Sequence, residues 1–148
     1  MSEGVRVYNI QLVIDSQLEH VRLLGSALRG IGQELTLPEE QLAQLELILV
    51  EAVNNVIEHA YEFKAGHSVR VRVECEPHHQ IRLVVSDRGK SMPESAEGAD
   101  HCHHQGFPDP DALPEGGWGL ALIHALADSC RYVRDQSGNH LHVSKMLA

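Results

Sequence analysis

No run in this sequence approaches the ~20 consecutive apolar residues of a membrane-spanning helix. The opening MSEGVRVYNIQLVID also lacks the basic start and apolar core of a secretory leader, so a soluble, cytoplasmic protein is expected. Cysteine is scarce. Cys75, Cys102 and Cys130 are odd in number and show no CxxC spacing, which speaks against a disulfide framework or a four-cysteine zinc site and fits a reducing compartment. Positive charge is short too: 12 Lys and Arg against 21 Asp and Glu leave a formal net charge of −9. That sign disfavours nucleic acid or an anionic membrane held by bulk electrostatics and points to a neutral or basic protein surface as partner. No Lys or Arg at all occurs from Ser91 through Cys130.

What is present is material for a core. Hydrophobic residues make up 43% of 148 residues, enough for one domain spanning 1–148 rather than a disordered tail. Eleven His, titrating near pH ~6.5 when unperturbed, make solubility pH-dependent.

Residues 5–14 are rich in β-branched side chains and predict a strand; Asp15 or Ser16 then offers an N-cap for a helix over 17–35. Thr36 and Glu39 stand at capping-box spacing before a second helix whose apolar period runs Leu42, Leu45, Leu49, Ala52, Val56, Ala60. Strict alternation over 69–76, a short Pro77-His78-His79-Gln80 connection and an apolar 81–86 read as a hairpin. From Arg88 to about Glu115 the pattern gives way to Gly, Pro, Asp, His and Ser, and loops of that length inside compact domains are usually functional lids or disordered inserts. Helical patterning returns over 119–129, and the end reads as two strands around Gln136-Ser137-Gly138-Asn139.

Three stretches carry chemistry. The second helix is apolar around most of its circumference, so Glu51 and Asn55, four apart on one face, are out of place and need partners. They form either a buried hydrogen-bond network or a catalytic base beside a magnesium ligand, the Asn carbonyl being a hard oxygen. Ser86-Asp87-Arg88-Gly89 turns abruptly off an apolar strand; such an Asp either starts the turn or accepts a hydrogen bond from an exocyclic amine such as adenine's. Glu115-Gly116-Gly117-Trp118-Gly119-Leu120 runs glycines into a helix, either a hinge or a phosphate cradle of bare backbone amides. It is neither a Walker sequence, since no Lys-Ser or Lys-Thr follows, nor a Rossmann fingerprint, since no strand precedes it.

In this order and spacing, EAVNNVIEHAY, SDRGKSMP and PEGGWGLALI resemble the N box and the two glycine boxes of the GHKL ATPase superfamily, in particular the anti-sigma factor serine/threonine kinases of bacterial partner-switching systems. The resemblance implies an α+β fold, a two-layer Bergerat-type sandwich with a mixed, mostly antiparallel sheet covered on one face by helices, and an ATP lid at about 88–115. It implies ATP or ADP with Mg²⁺ as cofactors, Glu51 as general base, Asn55 as magnesium ligand and Asp87 as the adenine-reading carboxylate. Gly89, Lys90, Gly117, Trp118, Gly119 and Leu120 complete the nucleotide site. It further implies a homodimer that sequesters a sigma factor and phosphorylates an anti-anti-sigma antagonist; a nucleotide-gated binding module without kinase activity is the alternative. Two departures stand out: Ser91 replaces the usual second glycine of the first glycine box, and only Lys90 is close in sequence to serve the terminal phosphate. The cluster Asp100-His101-Cys102-His103-His104 contains zinc and copper ligand types, but neighbouring side chains rarely converge on one ion, so exposed lid residues are expected. His59 is read as a packed, hydrogen-bonded histidine.

Overall fold

Alternating Val69, Val71, Val73 and Cys75 are all fully buried, while Arg70 and Arg72 between them are exposed; this period of two makes Ser68–Glu76 a strand with one wet face. The computed structural model describes residues 6–91 and 120–147. Its elements in chain order are β1 (Tyr8–Asp15), α1 (Val21–Glu34), α2 (Glu39–Asn55), β2 (Ser68–Glu76), β3 (Gln80–Asp87), α3 (Leu120–Leu126), β4 (Ser129–Asp135) and β5 (Gly138–Met146). A short 3₁₀ turn, Leu18–His20, precedes α1, and a π-helical turn, Val56–Ala60, extends α2. The strands form one sheet in the order β1-β2-β3-β5-β4, and every pairing is antiparallel. Expectations for residues 92–119, which include most of the lid, the His101-Cys102-His103-His104 cluster and Gly117-Trp118-Gly119, lie outside the described residues.

The helices cover one face of the sheet. Val21, Leu24 and Leu28 of α1, Leu45, Ile48, Leu49, Ala52 and Val53 of α2, and Ile123 of α3 share one core with the inward residues of the strands. Each fully buried Leu or Ile contributes about 1.5–3 kcal/mol, and truncating one such as Leu49 to Ala costs about 2–5 kcal/mol once the cavity is included. The α+β two-layer architecture is as expected, with α2 lying centrally between α1 and α3.

Both expected helix caps are absent. Asp15 and Ser16 instead close the 64–67 loop: Asp15 Oδ1 accepts from the Gly66 N–H at 2.9 Å, and the Ser16 hydroxyl donates to the Lys64 carbonyl at 2.6 Å. Helix α1 starts later, after the 3₁₀ turn, without a side-chain cap. Thr36 adopts a left-handed backbone (φ 57°) and its hydroxyl donates to the Leu35 carbonyl, so Pro38 takes the N-cap position of α2 and no capping box forms. Helix α3 ends at Leu126, short of the expected 129, because Ser129 already belongs to β4.

The helix-free face of the sheet carries Arg70, Arg72, Arg82 and Arg131 with Glu74 among them. Glu76 and Asp135 stand on the same face, so its arginines are largely balanced by carboxylates.

Candidate functional site

The apolar period of α2 buries Ala52, Asn55 and Val56 against the sheet and delivers them to the end of the helix, where the backbone widens into the π-turn. Single π-turns of this kind occur often at functional sites. Here the turn leaves the Ala60 carbonyl free to accept the Lys90 N–H at 2.8 Å, which clamps the end of α2 to the turn that follows β3. Gly89 makes that clamp possible: a Cβ on it would lie 2.4 Å from the Ala60 carbonyl oxygen, a backbone atom with no freedom to yield. Tyr61 adds a second tie. Its hydroxyl donates to the Ser68 carbonyl at 2.8 Å and accepts the Arg88 N–H at 2.9 Å, and burial pushes the phenol above its ordinary pKa, keeping it protonated for that donation.

Between these elements lies a small recess. Ala52, Asn55, Val56 and Ala60 form one wall, Val85, Tyr132 and Leu141 of the sheet form the floor, and Asp87 and Lys90 stand at its side. An apolar slot with a few polar groups is the ordinary form of a small-molecule site.

Asp87 is 7% exposed. Its Oδ1 accepts the Gly89 N–H and the Asn139 amide N–H, each at 2.8 Å, whereas Oδ2 has no partner among the described residues. Burial raises its pKa; the bonds from Asn139 and Gly89 and the nearby His140 oppose that shift. Asn139 reaches Asp87 because the two are register partners on β5 and β3. The preceding Gly138 has φ 125°, and a Cβ there would lie 2.1 Å from the Asp87 carbonyl oxygen, so only glycine lets the strands close at this point.

Asn55 is 4% exposed, and its amide nitrogen is buried with no hydrogen-bond partner among the described residues. Glu51, one helical turn earlier, is half-buried, makes no hydrogen bond or ion pair among the described residues and does not line the recess. Leu120 opens α3 and packs on the core rather than lining the recess. His59 sits partly buried in the π-turn beside Glu58.

The fold thus brings Asn55, Asp87, Gly89 and Lys90 of the expected residues to one place. Residues 14–145 match the histidine kinase-like ATPase domain family. The chain belongs to that family. Among its relatives in this ATPase family, the serine-protein kinase RsbW of Oceanobacillus iheyensis is 27% identical over 140 residues, covering 94% of this chain and 87% of the relative. The Bacillus subtilis protein of the same name is 26% identical, covering 93% and 85%. A solved structure of the RsbU and RsbW domains of a Mycobacterium tuberculosis protein shares the fold with a TM-score of 0.66 at 19% identity, covering 95% of this chain and 32% of that one.

The sequence reading missed three contributors to this candidate site: the π-turn with its Ala60 carbonyl, the Tyr61 tie and Asn139. Asn139 was legible only as a turn residue after Gly138, since nothing in its neighbourhood announces that β5 lies against β3. Among the described residues no group of three or more His, Cys, Asp or Glu could hold a metal ion.

Proposed function

We propose that this histidine kinase-like ATPase domain is an anti-sigma factor that binds ATP and phosphorylates a serine or threonine of an anti-anti-sigma antagonist. The observation that carries the reading is the buried Asp87 carboxylate at an apolar recess, with one oxygen committed to the fold and the other without a partner among the described residues. Such an arrangement suits a planar base bearing an amine, with Val85, Tyr132 and Leu141 against the ring. The phosphates would then extend past Asn55 and Lys90. Asn55 is the residue that would hold Mg²⁺, through its side-chain carbonyl oxygen, while its orphaned buried amide N–H fits an acceptor such as a phosphate oxygen. When bound, the ion neutralises phosphate charge that one lysine cannot balance.

Glu51 has no partner among the described residues to tie up its carboxylate, which leaves it available as a base for the hydroxyl of the antagonist. In the proposed step that hydroxyl oxygen attacks the γ-phosphorus, its proton passes to Glu51, and the bond to the β-phosphate oxygen breaks to leave ADP. Positioning and electrostatics supply most of the acceleration in phosphoryl transfer, so the clamp on Gly89 and Lys90 matters as much as the base. A homodimer and a cytoplasmic location complete the proposal. Incubation with γ-labelled ATP and the purified antagonist tests it: label on a serine or threonine of the antagonist is expected. ATP-dependent capture of the partner with no label transferred would leave a nucleotide-gated binder instead.

A further inference from the structure

Arg134 and Asn139 are register partners on β4 and β5, so their side chains leave the sheet on the same face, the one the helices cover. The other arginine of β4, Arg131, stands on the open face. Together the two partners hold consecutive residues of the turn after β3. The Asn139 amide donates to the Gly89 carbonyl at 3.0 Å and faces the Lys90 carbonyl at 3.5 Å, and Arg134 Nη1 donates to the Ser91 hydroxyl oxygen at 2.9 Å. From the opposite side the Lys90 N–H donates to the Ala60 carbonyl at 2.8 Å. The backbone of Lys90 is therefore tied on both flanks, to the π-turn after α2 through its own N–H and to β4 through the residue that follows it.

Lys90 is the only cation among the described residues that line the recess, and its side chain is an exposed, flexible stem. Such a stem brings its charge to one place only when the backbone beneath it is fixed, because every loose torsion spreads the ammonium over a larger volume. The tie at Ser91 matters the more because no Lys or Arg occurs from Ser91 through Cys130, so the segment that follows offers no substitute. We propose that Arg134 is a positioning residue for the phosphate side of the site: through Ser91 it fixes the turn and aims Lys90 at the terminal phosphate. Arg134 is exposed and Ser91 half-buried, so either can be changed without opening the core. This inference rests on the reading of the recess as an ATP site with the phosphates passing Lys90, and adds the residue that holds Lys90 in place.

The test measures the affinities of Mg-ATP and Mg-ADP by titration calorimetry on the full chain. The readout is their ratio, so a general weakening of the nucleotide site cancels. Lys90→Met is expected to lower the ratio of ATP to ADP affinity. Arg134→Met and Ser91→Ala are each expected to lower it by about 2- to 5-fold, the value of one exposed hydrogen bond, and the double variant by no more than either alone, because both break the same link. Arg134→Lys, which keeps the charge and a donor, is expected to retain most of the wild-type ratio. Melting temperatures should match wild type; a merely structural role would lower them and leave the ratio unmoved. A wild-type ratio in Arg134→Met beside a lowered one in Lys90→Met overturns the role of Arg134. A loss in Arg134→Met that Ser91→Ala does not share, or losses that add in the double variant, show Arg134 acting by its charge and overturn the tie through Ser91. An unchanged ratio in Lys90→Met overturns the reading of Lys90 on which the inference rests, and a wild type that binds neither nucleotide overturns the ATP site itself.

Discussion

Asp87→Asn separates recognition of the base from stability of the fold, because the two oxygens of this carboxylate do different things. Oδ1 accepts the Gly89 and Asn139 N–H groups, and an asparagine oxygen at the same place can keep both bonds. Oδ2 is replaced by an NH₂ that turns a donor toward the amine of the base. The loss is a hydrogen bond to a charged acceptor, about 1.5–3 kcal/mol, or roughly 10- to 150-fold in affinity for Mg-ATP and Mg-ADP alike. Stability moves the other way or not at all. Burial is the largest influence on Asp87 and raises its pKa, so its contribution is fully present below the unfolded value near ~3.9 and is lost as pH rises through the folded value. At neutral pH the buried charge is therefore a burden that the amide removes. Titration calorimetry gives the affinities, and thermal unfolding at the same pH shows a melting temperature no lower than wild type. Equal affinity for ATP in the two folded proteins would refute the adenine assignment.

Glu51→Gln should bind Mg-ATP as wild type does yet transfer phosphate about 10²- to 10⁴-fold more slowly, measured by labelled transfer to the antagonist; a wild-type rate would make Glu51 structural. Asn55→Ala should weaken the part of ATP binding that depends on Mg²⁺, and chelating the metal should weaken ATP more than ADP, both read by calorimetry with and without EDTA. Gly89→Ala should break the clamp to Ala60, because its Cβ would lie 2.4 Å from a backbone oxygen; about 1–3 kcal/mol of stability and most nucleotide affinity should be lost together. Burial, then the positive charges of Arg82, His140, Arg72 and Arg131, hold His142 below its ordinary value of 6.5. The unfolded chain then binds its proton first as pH falls, so the melting temperature should drop from about pH 7 to about pH 5.5, and His142→Gln should flatten that slope.

The local pattern of the chain determined its elements and part of its candidate site. Strict alternation over 69–76 needs one buried face whatever covers it, and the apolar surround of Glu51 and Asn55 places them on a helix packed from several sides. Asp87-Arg88-Gly89 announces a turn at a strand end because its residue types fit little else. The caps at Asp15, Ser16 and Thr36 were misread for the converse reason. A side chain that can cap a helix can equally bond a loop distant in sequence, and Ser16 found the Lys64 carbonyl 48 residues away. Asn139 lies 52 residues from the carboxylate it holds, and only the antiparallel register of β3 and β5 brings them to 2.8 Å. The Ala60 carbonyl became an acceptor for Lys90 through a π-turn that propensity does not encode. Residue types and their spacing are local and determine which groups are available; partners, burial and thus protonation depend on strand register and helix packing, which only the folded chain decides.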